Sequence, residues 1–173
     1  MNLSKAATAN ATSPKGRALK VKSSKAAPVQ AVPLDIGREV QQRCLCFQTQ
    51  RAARRLARRF DLAFAHLGIT NQQFSLMMML NNAGGPQIGR VADFLAMDRT
   101  TLTAALKALQ GRGLVAVARD QDDLRVKRAS LTAAGGRILK SAIPIWRAEH
   151  ARLEMELPGS TASDLRAALT NVA

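Results

Sequence analysis

The chain has 173 residues, of which 47% are hydrophobic and only 3% aromatic, with no tyrosine. This length favours one domain, or one domain with a tail, and a core built from Leu, Ala, Met and Val favours helices. The formal net charge of +14 indicates a polyanionic partner, nucleic acid before anionic membrane, and no apolar run approaches the ~18 residues that span a bilayer.

Residues 1–34 have a composition of their own. They include six lysines and arginines and no acidic residue, and they are rich in Ala, Ser, Thr and Pro without sustained periodicity. This composition predicts a disordered basic N-terminal arm. An inert tail is nearly as good an interpretation.

Residues 35–66 show helical periodicity and are predicted to form one long helix that ends at Gly68. Five arginines between 51 and 59 lie opposite the apolar residues. The apolar face also changes sides along the segment, which predicts that the helix leaves one surface and joins another, such as that of a partner subunit.

Helix caps, turns and a change from helical periodicity to the alternation of strands predict the remaining elements. Thr70 and Gln73 fit a capping box, and Asp98 and Thr132 fit N-caps of later helices. The predicted helices span 71–83, 88–95, 99–110, 132–157 and 160–172, and the predicted strands 114–119 and 125–131. Two short strands joined by the charged turn "DQDD" after a helix-turn-helix pattern predict a wing.

The stretch "MDRTTLTAALKALQGRGL" (97–114) places leucines on one helix face and small hydroxyls and cations on the other. Threonine can bond base edges or phosphates and touch thymine methyls, arginine can bind guanine, and lysine can contact phosphate. The side chains predicted to read DNA are Arg99, Thr100, Thr101, Thr103 and Lys107. A merely solvated helix is the alternative, but three threonines in four residues suit such a face poorly.

Three quoted stretches carry a resemblance to a known family: "LGITNQQFSLMMML", "IGRVADFLAMDRTTLTAALKALQGRGLV" and "RDQDDLRVKRASLTAAG". With Asp123-x-Arg125 followed by Leu131-Thr132-x-x-Gly135, residues 38–170 resemble the MarR family of winged helix-turn-helix regulators. The resemblance implies a mainly α fold with a small β-wing. It divides residues 35–173 into a winged helix-turn-helix (70–131) and dimerisation helices (35–67 and 132–173).

The same resemblance implies function. It suggests a cytoplasmic homodimer that binds a pseudo-palindromic DNA operator and represses a nearby promoter until a small molecule or an oxidant releases it. Arg125 would be the wing-tip arginine in the minor groove, with Asp123 as the carboxylate that orients it and Lys127 beside them. A narrow minor groove concentrates negative potential, which favours an inserted guanidinium.

Two switching mechanisms remain open from the sequence. One is an apolar, aromatic-acid-like effector bound between the DNA-reading lobe and the dimer helices. Its predicted lining is Arg43, Cys46, Gln50, His66, Phe74 and Met78. The other is oxidation of Cys46, because "Leu-Cys-Phe" resembles the organic-hydroperoxide-sensing branch of the family. That branch surrounds its cysteine with tyrosines, which this chain lacks, and a plain hydrophobic role for Cys46 is the third reading.

Other function classes find less support in the sequence. A phosphate loop, HExxH, GxSxG and Cys/His metal spacings are absent, so neither an enzyme nor a cofactor or metal site is expected. A non-specific architectural DNA-binding protein with a basic arm remains an alternative. The two cysteines lie two residues apart, which predicts free thiols in a reducing compartment.

Overall fold

The computed structural model describes residues 32–82, 84–157 and 162–172. Most of the predicted N-terminal arm, residues 1–31, and the predicted break around residues 158–161 therefore lie outside the described residues. The elements in chain order are α1 (Leu34–Arg43), α2 (Leu45–Phe64), a 3-10 turn (Ala65–Leu67), α3 (Asn71–Leu80), α4 (Ile88–Phe94), α5 (Arg99–Gly111), β1 (Val115–Arg119), β2 (Lys127–Leu131), α6 (Ala133–Glu156) and α7 (Ala162–Thr170). The predicted fold class, mainly helical with a small β-hairpin, is confirmed.

The prediction of one unbroken helix over residues 35–66 is wrong, because Cys44 interrupts it. Cys44 has an extended backbone with ψ 108°, and its sulfur accepts a hydrogen bond from the Phe47 N–H over 3.4 Å. The thiol thereby acts as the N-cap of α2, while the Cys44 N–H still donates to the Val40 carbonyl oxygen at the end of α1. Two helices replace one at the place where the apolar face changes sides.

The predicted caps of the other helices are confirmed. Gly68 ends the 3-10 turn in the left-handed conformation, with φ 66°. In the capping box of α3, the Thr70 hydroxyl accepts from the Gln73 N–H (3.2 Å) and the Gln73 side-chain oxygen accepts from the Thr70 N–H (3.1 Å). Thr132 caps α6 by accepting from the Gly135 N–H over 3.1 Å. The Thr70 and Thr132 hydroxyls each satisfy an N–H donor that the first helical turn leaves without a partner.

The core lies between the C-terminal half of α2, helices α3 to α5, the hairpin and the first half of α6. Its fully buried large side chains are Phe64, Leu76, Met77, Leu80, Val91, Leu102 and Leu109. The two terminal helices, α1 and α7, contribute no buried residue. Their apolar side chains, Leu34, Ile36, Val40, Leu165 and Leu169 among them, remain 44–83% exposed.

Ion pairs and ring contacts join α2 to α6. The Arg59 guanidinium binds Glu149 and, through Nη2 over 2.8 Å, Glu156. The Phe60 ring lies 4.9 Å from that of His150, which lies 4.5 Å from that of Trp146. The two long helices are therefore held together by both polar and aromatic contacts. Within the described ranges, no helix is long and apolar enough to cross a membrane.

Candidate nucleic-acid interface

Helix α5 begins at a tight turn after α4. Ala96 has a left-handed backbone with φ 49°, and the Met97 N–H donates to the Ala92 carbonyl oxygen over 2.9 Å. The Asp98 carboxylate then accepts from the Thr101 hydroxyl over 2.5 Å and from the Thr101 N–H over 2.8 Å. These bonds, the hydroxyl's first, hold the pKa of Asp98 below its usual range, so a negative charge sits at the positive end of the helix dipole.

The outward face of α5 matches the sequence prediction in position. Arg99, Thr100, Thr103 and Lys107 are all exposed, while the opposite face is buried. The Thr103 hydroxyl donates to the Arg99 carbonyl oxygen over 2.7 Å, which fixes its rotamer along the helix. Thr101 differs from the other predicted side chains, because both its hydroxyl and its N–H bond the carboxylate of the N-cap residue Asp98. Its place is at the start of the helix rather than along the open face.

The hairpin between β1 and β2 is anchored by an acidic residue that the sequence reasoning missed. Asp120 is 7% exposed, and its carboxylate accepts from the Arg128 Nε and from the N–H groups of Asp122 (2.9 Å) and Asp123 (3.1 Å). The Arg128 bond, followed by the two backbone bonds, holds the pKa of Asp120 below its usual range. Arg128 also donates to the Gly85 carbonyl oxygen over 2.9 Å, which ties the hairpin to the turn before α4.

The tip of the hairpin shows a different role for Asp123 from the one expected. Its carboxylate accepts from the backbone N–H of Arg125 over 2.9 Å, and its carbonyl oxygen accepts from the Val126 N–H over 2.9 Å. Among the described residues, the Asp123 carboxylate forms no ion pair with the Arg125 guanidinium. Asp123 therefore shapes the loop that carries Arg125, and the Arg125 side chain is left exposed.

Helix α5 and the wing, the hairpin of residues 115–131, face each other across a cleft. The cleft has a volume of about 360 Å³, and four of the predicted DNA-reading side chains line it: Arg99, Thr103, Arg125 and Lys127. Its floor includes Ile88 and Gly89 at the start of α4. The structure thus brings together three cations and a hydroxyl from two separate elements. Fixed cations around a concave surface attract phosphate oxygens.

A second cavity, apolar and about 410 Å³ in volume, lies where α3 and α4 meet α6. Phe74 and Met78, both predicted effector contacts, line it. Residues that the sequence reasoning did not assign to it complete the lining: Ser75, Met79, Phe94, Leu95, Ile143, Trp146 and Arg147. Periodicity marked several of these as apolar, but only the packing of distant helices brings them to one place.

The other predicted effector residues lie outside this cavity. Arg43 pairs with Glu39 across one turn of α1 (3.1 Å), and Gln50 accepts from the Arg54 guanidinium over 3.4 Å on the surface of α2. Cys46 is exposed with a free thiol, and His66 is exposed in the middle of the 3-10 turn. Within one chain, the structure does not bring these four residues together with Phe74 and Met78.

Comparisons with known proteins agree with the arrangement of the helix-turn-helix and the wing. Residues 69–127 match the sequence profile of the MarR family. The chain is 32% identical over 120 residues to the HTH-type transcriptional regulator TtmR of Methylorubrum extorquens; this covers 68% of the chain and 62% of TtmR, less than two thirds of that relative's length. It is 27% identical over 101 residues to an organic hydroperoxide resistance transcriptional regulator of Bacillus subtilis, covering 58% of the chain and 69% of that protein.

Solved structures give the same result. The transcriptional regulator MosR of M. tuberculosis, crystallised in complex with DNA, is 33% identical to the chain and superposes with a TM-score of 0.67. The superposition covers 75% of the chain and 92% of MosR. The region matched by the family profile, residues 69–127, includes the helix-turn-helix, the residues that line the cleft and most of the wing. The chain therefore belongs to the MarR family, whose members are regulators of transcription and not enzymes.

Proposed function

We propose that this protein binds a specific DNA operator as a homodimer and represses transcription. The cleft shared by α5 and the wing carries this proposal, because Arg99, Thr103, Arg125 and Lys127 converge on it from two elements. Two rigid supports hold those elements, the Asp98 cap and the Asp120–Arg128 pair. MosR, a relative at 33% identity that was crystallised in complex with DNA, supports DNA binding by this chain.

Each element has a distinct task in this proposal. Helix α5 enters the major groove, where Arg99, Thr100 and Thr103 meet base edges and Lys107 meets phosphate. The wing lies along the neighbouring minor groove and inserts Arg125, whose loop Asp123 shapes. Thr101 acts indirectly by fixing the start of α5, and Lys127 adds a phosphate contact at the loop end of the wing's strands.

The homodimer is supported by the terminal helices. Helices α1 and α7 bury no residue within one chain, although their apolar side chains form faces suited to packing. A second copy that covers these faces would remove their apolar surface from water, at about 25 cal/mol per Å². Light scattering should show a dimer at micromolar concentration, and a stable folded monomer would contradict this part of the proposal.

Selection from random duplexes tests the DNA proposal. We expect enrichment of a pseudo-palindrome with half-sites centred about 10 bp apart, protected as one discrete footprint. An architectural protein would instead enrich no consensus and protect no discrete site. Such a result would favour the alternative that coats DNA without sequence choice.

For release from the operator, we propose a small, mostly apolar organic acid bound in the cavity of about 410 Å³ between α3, α4 and α6. Phe74, Met78 and Trp146 provide the apolar walls, and Arg147 provides a cation at the same cavity. Arg147 takes the place that the sequence suggested for Arg43. Four other residues predicted from the sequence could line this cavity only from another chain or after a rearrangement: Arg43, Cys46, Gln50 and His66.

A screen of aromatic carboxylates by thermal shift and operator release tests the effector. A ligand that occupies this cavity should lose affinity in Met78→Trp, which fills the space, and in Arg147→Ala, which removes the cation. Arg137→Ala is the matched control, because Arg137 is exposed on the same helix and does not line the cavity. Equal loss in all three variants would place the ligand elsewhere.

Oxidation of Cys46 is the second candidate for release. The exposed free thiol favours it, and so does the similarity to the B. subtilis organic hydroperoxide resistance regulator. An organic hydroperoxide would oxidise the Cys46 thiolate to a sulfenic acid and be reduced to its alcohol. If low peroxide releases the wild type and the Cys44→Ser protein from the operator but not Cys46→Ser, the redox mechanism replaces the ligand mechanism.

The cytoplasmic location expected from the free thiols remains a prediction.

A further inference from the structure

We propose that Arg112 is a positioning residue for operator recognition, which fixes the C-terminal end of α5 to the end of α2. This inference rests on the proposed DNA-binding function. Arg112 immediately follows the last residue of α5, is exposed and does not line the cleft. Its role is inferred from its hydrogen bonds.

The Arg112 guanidinium caps the segment that ends α2. Its Nη1 donates to the carbonyl oxygen of Gly68, and its Nη2 donates to that of Leu67 over 3.3 Å. These carbonyls lie at the negative end of the 3-10 turn, where a cation is favoured. A Cβ atom on Gly68 would lie only 3.2 Å from Nη2, so the guanidinium packs directly on the glycine. One side chain thus spans 44 residues of sequence to join the two helix ends.

The next two residues are fixed to α6 in a similar way. The carbonyl oxygen of Gly113 accepts from the Thr132 hydroxyl over 2.7 Å, and the carbonyl oxygen of Leu114 accepts from the Thr132 N–H over 3.1 Å. Thr132 is also the N-cap of α6. Residues 112–114 are therefore the point at which the end of α5 meets the ends of both long helices.

This arrangement has a consequence for a dimer built from those helices. The direction in which each α5 enters its major groove depends on its angle to α2 and α6, and so does the separation of the two α5 helices. Arg112 supplies the side-chain contact to α2, whereas Thr132 supplies the contact to α6. Without Arg112, α5 keeps its cap and its core leucines but gains freedom relative to α2.

The test separates positioning from a direct phosphate contact. Arg112→Ala, Arg112→Lys and the control Arg51→Ala are compared with the wild type; Arg51 is an exposed arginine of α2 without a partner among the described residues. Affinity is measured for the selected operator, for operators with one base pair added or removed between half-sites, and for unrelated DNA, each at several salt concentrations.

Positioning predicts that Arg112→Ala loses about tenfold in affinity for the operator and keeps its affinity for unrelated DNA within about twofold. The variant also discriminates less against altered spacing, and its salt dependence stays like that of Arg51→Ala. Arg112→Lys recovers part of the loss, since an ammonium can still donate to these carbonyls. If Arg112→Ala unfolds at the assay temperature, the discrimination between operators of different spacing is compared between Arg112→Lys and Arg51→Ala only.

Two results would overturn the inference. Equal losses on operator and unrelated DNA, with the salt slope reduced by about one relative to Arg51→Ala, would make Arg112 a phosphate contact. Unchanged operator affinity and unchanged spacing preference would make it a surface cap without a part in recognition. Failure of the wild type to select any operator would refute the proposed function instead, and this is recognised before any variant is compared.

Discussion

Replacing Gly135 by alanine should destabilise the protein, although alanine is the better helix former. Gly135 lies in the first turn of α6, and a Cβ atom there would lie 2.0 Å from the carbonyl oxygen of Leu114 and 3.3 Å from the Leu131 side chain. The first distance is 1.0 Å inside the limit of 3.0 Å that real Cβ contacts essentially never cross. The obstacle is backbone, which cannot rotate away as a flexible side chain would.

The size of the effect follows from what must move. Overpacking a tight contact costs about 1–3 kcal/mol. Displacing the Leu114 carbonyl also weakens the hydrogen bond that it accepts from the Thr132 N–H, for about 1 kcal/mol more. The helix preference for alanine returns roughly 0.5–1 kcal/mol. The net loss is about 1–3.5 kcal/mol, which corresponds to a Tm lower by roughly 2–14 °C for a chain of this size.

The neighbouring glycine provides a matched control. Gly136 is in the same helix, and a Cβ atom there would meet nothing within 4 Å. Gly136→Ala should therefore raise the Tm slightly. Both variants are melted by circular dichroism at one protomer concentration, since a dimer's Tm depends on concentration. A Gly135→Ala protein that melts at or above the wild-type temperature would contradict a steric cause, and so would a Gly136→Ala protein whose Tm falls as far as that of Gly135→Ala.

Four further predictions concern DNA and pH. Arg125→Ala should weaken binding to all operator variants alike, because the minor-groove contact reads charge and shape, and fluorescence anisotropy against a mutated operator panel measures this. Arg99→Ala should instead change which variants in that panel are preferred; a uniform loss would argue against base reading. Deleting residues 1–34 should flatten the salt dependence of binding if the basic arm touches phosphates, whereas an unchanged slope would make it a bystander. Partial burial lowers the pKa of His150 in the folded state, so the unfolded chain takes up a proton there first as the pH falls. The free energy of unfolding should therefore be highest above pH ~6.5 and decrease below it. His150→Gln should lose this part of the pH dependence, measured by unfolding between pH ~5 and ~7.

Local signals in the sequence were sufficient for most helix boundaries. Thr70, Asp98 and Thr132 each cap a helix through a hydrogen bond to a residue three positions later, which is visible in a short stretch of sequence. Cys44 shows the limit of this reasoning. The change of apolar face marked this part of the chain, but helical periodicity continues on both sides of it and cysteine is not among the preferred cap residues. The sequence therefore did not indicate that a thiol would end one helix and begin the next.

The candidate site was predictable where one element carries it and not where several elements meet. The exposed face of α5 followed from its period alone. The turn "DQDD", by contrast, contains three carboxylates, and the sequence does not show which of them anchors the hairpin. The position of Arg128 on the opposite strand selects Asp120. The apolar cavity combines Phe94 and Trp146 from helices about 50 residues apart in the chain, a distance over which periodicity carries no information.

Trp146 also makes this protein unusually easy to observe by optical spectroscopy. It is the single tryptophan of a chain that has no tyrosine, so intrinsic emission excited near the red edge of absorption comes from one known position. That indole lines the apolar cavity and touches the rings of His150 and Phe74. A fluorescence titration therefore reports occupancy of the cavity and rearrangement between α3 and α6 in one signal, with no label attached and no other fluorophore to subtract.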